Sequence, residues 1–441
     1  MKNLIRIAIL IFYVRFFPVS INAQPLFESE PIVKVRIIYN LDSIQVLLND
    51  NWNITGITEN SSIEPTKSSV LTIKTDGQEV KVTDNDNYQR ITSSHLKLDC
   101  DDPAGTLEIF NVPYGIGWWW EGKENRTYEG QIDIKVNEND KLDVIISLPL
   151  EKYLCGVVPY EIGSDAPIEA LKSQVISARS ETVEALITRK YSGDGFDLCA
   201  DVECQVFAGN HKRTEITDKA VYDTKGLCLF FGDKVIGAYY ASNCGGISEN
   251  VENVWPERSG PVPYWSSHFD LDSTLEFNPT NNPKEWIESN PDVYCNPNFH
   301  PELPSWSQNN FRWKVEISNN ELTQNLNKLK LIGTLKDIDV IERGNSGRII
   351  KAKFIGSEDS LLLNSELDIR KIKHPPFRSS CFVFERYYNS EGEEFYQFSG
   401  AGWGHGVGMC QSGAVARAYS GQSFYQILKH YFPETDIKTV Y

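Results

Sequence analysis

LPLEKYLCGVVPYEIGSDAPIEALKSQVISARSETVEALITR, residues Leu148 to Arg189, is the stretch around which the rest of the chain is read. It runs as an apolar segment, a turn and then a long amphipathic helix. Ile168, Leu171, Val175, Ala178, Thr182 and Leu186 recur at spacings of three or four, which puts them on one apolar stripe. Pro167 suits a first helical turn, and Ser164 and Asp165 are candidate caps. Glu161 therefore falls about one turn before a helix N-terminus, on a loop, where rigid neighbours can aim a reactive group. Its neighbours Val157, Val158, Pro159, Tyr160 and Ile162 are largely apolar, and desolvation raises a carboxyl pKa towards that of a neutral-pH acid. The dipole of the following helix would oppose that shift, and a surface or capping Glu is the commoner case.

The chain upstream differs in texture. Val33 to Ile37 alternates apolar and polar, and 70–74, 79–83, 130–136 and 142–146 repeat the pattern, with Asp76-Gly77 as a hairpin signal. This predicts a β-rich N-terminal domain over 24–145. It carries Trp118-Trp119-Trp120, which reads either as packing at a strand edge or as a platform for stacking sugar rings. Before it, Lys2 and Arg6 lead into an apolar run and a small-residue site at Ala23, which predicts a secretory signal over residues 1–23. Arg15 breaks the apolar run, so it does not read as a membrane span.

Downstream, 226–242 reads as a hairpin turning at Gly232-Asp233, and 271–307 is rich in Pro and Asn without periodicity. Phe311 to Ile317 reads as a strand, Asn320 to Leu329 as a helix, Leu335 to Phe354 as two strands, and Ser423 to Phe432 as a helix stopped by Pro433. The fold class expected is α+β. With 441 residues the chain should hold about two domains, and its net charge of -17 argues against a nucleic-acid partner, which usually calls for a basic face.

Two further clusters could carry chemistry. Gly402-Trp-Gly-His-Gly-Val-Gly-Met-Cys-Gln411 alternates four glycines with other residues and fits no nucleotide-loop pattern. His405 within it can act as an acid/base, as a hydrogen bonder to a ligand or as a structural strut, and the residues leave the three open. Cys199 and Cys204 read as a local disulfide in an exported chain, with zinc the alternative. The nine cysteines are an odd number, so at least one stays unpaired.

Taken in order, these segments resemble the SpoIID/LytB family of peptidoglycan-processing proteins. Leu148 to Glu161 resembles its opening motif and Ile168 to Arg179 its signature helix. Ala238 to Gly246 with Asn253-Val-Trp255, Arg343 to Arg348, and Gly402 to Ala414 with the tail 421–432 resemble its later motifs. The resemblance implies a β-rich leader followed by a mixed α+β catalytic domain over 146–441, with 271–307 as an irregular insertion. It implies lytic transglycosylation of peptidoglycan glycan strands, with Glu161 as acid/base and His405, Gln411, Ser242 and Gln174 lining the cleft. The alternative it implies is a wall-binding enhancer of a separate N-acetylmuramoyl-L-alanine amidase. It also suggests that Cys244 and Cys410, at positions where many relatives have Ser, form a disulfide or leave one free thiol. Some relatives bind zinc through a Cys pair and a His. The stretch before Cys199 lacks that His, so no cofactor is expected, with zinc at Cys199 and Cys204 as a weak alternative. The protein is expected to be secreted or periplasmic and associated with the cell wall, after cleavage near Ala23.

Overall fold

The computed structural model describes residues 25–441 apart from 58–60, 66, 85–88, 119, 192, 259 and 274. The expected signal, 1–23, lies outside the described residues, as does Trp119. The upstream half forms two sheets. One has seven strands in the order Leu198–Cys199, Ile32–Leu41, Leu142–Pro149, Gln131–Val136, His95–Cys100, Trp52–Gly56 and Ser61–Ile63. The other has six, in the order Gly122–Glu129, Thr106–Tyr114, Ser43–Leu48, Val70–Asp76, Glu79–Thr83 and Gln89–Ser93. Alternation works as expected: Val33, Val35 and Ile37 are buried while Ile32 and Lys34 face out.

The strand Leu142–Pro149 is buried on both faces along most of its length. It pairs antiparallel with Ile32–Leu41 on one side and Gln131–Val136 on the other, then runs straight into a helix. Residues 145 and 146 lie inside this strand, and one apolar core spans both sides of it, from Val35 and Ile146 to Leu154, Leu171 and Val175.

That helix, α1 (Leu150–Glu161), differs from the expected loop. Leu150, Tyr153, Leu154, Val157 and Val158 follow helical spacing, and all are buried. Pro159 sits in the last turn, and Ile162 N–H closes that turn on the Val158 carbonyl. Gly163, at φ +86°, takes the left-handed conformation that ends it. The second helix, α2 (Ile168–Thr188), starts where expected, but Pro167 is its N-cap and no side chain caps it. Ser164 Oγ donates instead to the Lys212 carbonyl. Rather than showing one apolar stripe, α2 is buried almost all round, between α1, α3 (Glu215–Asp223), the strand Leu227–Phe231 and the helices Gln411–Tyr419 and Phe424–Tyr431.

The remaining elements form small sheets around this centre. Arg312–Ser318, Glu394–Ala401 and Phe382–Tyr388 make one, and Leu335–Arg343, Ile349–Gly356 and Ser360–Leu363 another. They share a core of Trp313, Leu322, Phe354 and Phe398 with the helix Asn319–Leu329. The segment 271–307 holds two short helices, Pro283–Glu288 and Ser305–Gln308, and is otherwise irregular. The last strand, Asp436–Thr439, returns to pair with Leu227–Phe231.

Arg179 on α2 and Glu151 on α1 meet in a bidentate ion pair at 3.0 and 2.6 Å, both side chains 1% exposed or less. Arg179 also donates to the carbonyls of Val221 and Leu227, and Glu151 accepts from the Gly226 N–H and the Tyr441 hydroxyl. Removing one partner strands the other charge in the core. Arg179→Ala is therefore expected to cost about 3–5 kcal/mol in denaturant unfolding. Truncating Lys219, which pairs with Asp223 at the surface, should cost no more than about 1 kcal/mol.

Candidate active site

Glu161 is the last residue of α1 and partly buried. The Val206 N–H donates to its Oε1 at 2.7 Å, and Gln411 Nε2 donates to its main-chain carbonyl at 2.9 Å. Burial pushes its carboxyl up to about 7, against hydrogen bonds from Val206, Tyr240 and Gln411 that pull it down. The helix it ends is α1, so the negative end of that dipole also disfavours a carboxylate. The sequence placed Glu161 before a helix start, which would have acted in the opposite sense.

Glu161 opens onto a cleft of about 980 Å³. The walls come from distant parts of the chain: Trp118 and Trp120 from the β-rich half, Glu181 from α2, and Tyr240, Trp255, Arg370, Trp403 and His405 from beyond it. Trp118 and Trp120 stack with ring centroids 5.0 Å apart, and Trp403 meets Trp120 edge-on at 5.8 Å. The Arg370 guanidinium lies 5.2 Å from the Trp118 ring centre. Flat aromatic faces beside a protonatable carboxyl suit a ligand with apolar C–H faces and polar rims, which a pyranose has.

The glycine-rich segment is the far wall. Gly402, Gly404, Gly406 and Gly408 all have φ between +73° and +98°, a region that L side chains avoid. Space is short as well: a Cβ at Gly406 would sit 2.5 Å from the Arg348 guanidinium carbon. Arg348, fully buried, donates to the carbonyls of Gly404 and Cys244 and so clamps this segment to the 243–246 loop. Trp403 and Asn243 exchange main-chain hydrogen bonds at 2.8 and 3.1 Å.

His405 reaches the cleft, but the main chain holds both its nitrogens. Val407 N–H donates to Nδ1 at 3.0 Å, so Nε2 carries the proton and donates to the Tyr240 carbonyl, also at 3.0 Å. Burial, then the Arg348 and Arg370 charges, lower its pKa to about 3. A neutral imidazole with no free lone pair fits the structural strut among the three roles left open.

Gln411 and Gln174 are buried and stand behind Glu161, Gln411 Nε2 donating to Gln174 Oε1 at 3.1 Å. Neither lines the cleft, and nor does Ser242. Ser242 Oγ accepts from Asn310 Nδ2, and its carbonyl accepts from the Ser412 N–H and hydroxyl. Gln411 and Ser242 spend polar groups on protein partners and so position the site; Gln174 accepts from Gln411, while its own buried Nε2 has no hydrogen-bond partner. Sequence reasoning missed Glu181, whose carboxyl is pushed well up by burial and then by the Glu161 charge. It lies two turns after Gln174 on α2, so helical spacing from that residue was an available signal. Tyr240 and the Val206 N–H were also missed.

Cys199 and Cys204 sit beside the loop that holds Glu161, with their sulfurs 2.6 Å apart. Two thiolates on one tetrahedral zinc stay ~3.8 Å apart. Among the described residues no third thiol, imidazole or carboxylate joins the pair in a metal-type cluster. The zinc alternative at this pair does not fit. Cys244 and Cys410 are adjacent, the Cys244 N–H donating to Cys410 Sγ at 3.2 Å, and both are free thiols.

The chain is a mixed α+β protein with a partly buried carboxyl at the edge of an aromatic cleft. A model of the stage II sporulation protein family matches residues 138–231, and one of a domain of unknown function (DUF8618) matches 249–408. An uncharacterized protein of Brachyspira hyodysenteriae is 27% identical over 68% of this chain and 69% of its own length. The amidase enhancer of Bacillus subtilis is 27% identical over 64% of this chain but only 40% of its own length. A stage II sporulation protein D of Bacillus amyloliquefaciens is 24% identical over 72% of this chain and 82% of its own length. The chain is thus similar to the SpoIID/LytB family, the stage II sporulation protein model covering residues 138–231. Among the described residues no helix is long and apolar enough to cross a membrane.

The raised Glu161 carboxyl gives stability a pH signature. Below its ordinary value of 4.5 the group is protonated in folded and unfolded chains alike. As pH rises from there to about 7 the unfolded chain ionises first, so folding loses stability across that window. Glu161→Gln should relieve this by about 1–3 kcal/mol above pH 7, the lower end reflecting partial exposure. Thermal unfolding followed against pH should show the full gain at about pH 8 and none at about pH 3.

Proposed function

We propose that this protein is an exported lytic transglycosylase acting on peptide-stripped peptidoglycan glycan strands. The observation that carries the reading is Glu161: a carboxyl raised to about 7 at the edge of an aromatic cleft is protonated in part at neutral pH and can both give and take a proton. As an acid it protonates the glycosidic oxygen between N-acetylmuramic acid and N-acetylglucosamine. As the resulting carboxylate it accepts the proton of the muramic C6 hydroxyl, whose oxygen attacks C1 and closes the 1,6-anhydro ring. The nucleophile belongs to the substrate, so one carboxyl suffices. Trp118, Trp120 and Trp403 offer faces to the sugar rings, and His405 holds the Tyr240 main chain beside the acid.

Glu181 in the same cleft raises the hydrolytic variant, in which a second carboxyl activates water. Its carboxyl is pushed well above the ordinary range, which makes it a poor base at neutral pH and favours the intramolecular route. The second reading is a wall-binding module that stimulates a separate amidase. Its support is the likeness to a protein named amidase enhancer, of which the matched region is 40%.

The test is incubation with peptide-free glycan strands and mass analysis of the products. Anhydro-ended fragments are expected, with turnover lowered at least ~100-fold in Glu161→Gln. Fragments heavier by one water would mean hydrolysis. Absence of any cleavage, together with wall binding and amidase stimulation unaffected by Glu161→Gln, would favour the enhancer.

A further inference from the structure

Behind the cleft, three thiols and a carboxylate converge from separate segments. Cys244 lies in the 243–246 loop, Asp270 just after the Ile247–Phe269 bridge, Cys295 in the irregular segment, and Cys410 at the N-cap of the helix Gln411–Tyr419. Their ligand atoms all lie within 4.8 Å of one another, and each residue is 3% exposed or less. The sulfurs of Cys244 and Cys295 are 3.6 Å apart, close to the ~3.8 Å that a tetrahedral zinc with Zn–S of about 2.3 Å imposes.

The surroundings are built for charge. Asp270 Oδ1 is held by the Tyr431 hydroxyl at 2.7 Å and by Arg417 Nε at 3.4 Å, while its buried Oδ2 has no hydrogen-bond partner. Gly413 leaves room for that oxygen, since a Cβ there would collide with it. Cys410 Sγ accepts main-chain N–H bonds from Cys244 at 3.2 Å and Gly413 at 3.4 Å, the kind of contact that supports a thiolate. The carboxylate's partners orient it as outer partners orient a metal ligand.

We propose that Cys244, Cys295, Cys410 and Asp270 bind one thiophilic divalent metal ion, of which zinc is the type, in a closed structural site. A disulfide would consume two sulfurs and leave a buried thiol and the orphaned Asp270 oxygen, whereas one metal ion engages all four groups. With four protein ligands no position stays open for substrate, so the ion's work is structural. It ties the Asn243 loop, which pairs with Trp403, to Cys410, whose neighbour Gln411 holds the Glu161 carbonyl. The inference does not depend on what the cleft cleaves.

The full chain, purified under reducing conditions, would be loaded with zinc or cobalt(II) alone and the metal counted by mass spectrometry. About one ion per chain is expected, with the thiolate-to-cobalt charge-transfer and intense visible bands of a tetrahedral site. Zinc affinity should fall at least ~10-fold in Cys295→Ser and stay unchanged in Cys199→Ser. Should Cys295→Ser fail to fold, the cobalt spectrum of the unaltered chain decides. No bound metal, an octahedral cobalt spectrum, metal lost in Cys199→Ser, or a disulfide between any two of Cys244, Cys295 and Cys410 in the loaded protein would each overturn the proposal.

Discussion

The ion pair between Arg179 and Glu151 is the constraint on which the arrangement depends. Neither charge reaches water, so each needs the other and the main-chain groups that complete their hydrogen bonds. Those groups come from the end of α3, the turn at Gly226 and the strand that begins at Leu227, with the terminal Tyr441 closing the set. The pair therefore locks α1 to α2 in one register. Glu161 lies at the far end of α1, and its distance from Gln174 and Glu181 on α2 follows from that lock.

Around this lock, the site is assembled from segments that are remote in sequence and held by main-chain contacts. The glycine-rich wall uses positive φ at alternate positions, which lets its carbonyls and N–H groups face Arg348, Asn243 and His405. His405 bonds only to main chain, and Arg348 to main chain and the Ser346 hydroxyl, so the wall is stiff. Desolvation at a helix C-terminus and aromatic neighbours act on the same carboxyl in the same direction, and only three hydrogen bonds oppose them.

Much of this was legible in the sequence because period and turn chemistry are local. The alternating strands, the hairpin at Asp76-Gly77, the helix from Ile168 and the capped helix after Ser423 all carried their own signals. Helix α1 is hidden in an apolar segment that ends in Val157, Val158 and Pro159, poor helix formers, although 150, 153, 154, 157 and 158 fall on a helical face. Long-range proximity was the larger loss. Nothing near Cys295 marks it as a neighbour of Cys244 and Cys410, and the tryptophans of the β-rich half carry no sign that they face Glu161. Gln174, Gln411 and Ser242 were placed near the site by resemblance, but only the structure distinguishes a buried positioning role from contact with a ligand.

The most direct measurement is a crystal structure of Glu161→Gln soaked with a peptide-free muramic acid–glucosamine tetrasaccharide. The expected result is a glycan in the cleft, with a glycosidic oxygen within hydrogen-bond reach of the side chain at position 161 and a sugar ring on the Trp118–Trp120 pair. A glycan bound on another surface, or one in the cleft with no glycosidic oxygen near position 161, would contradict the account.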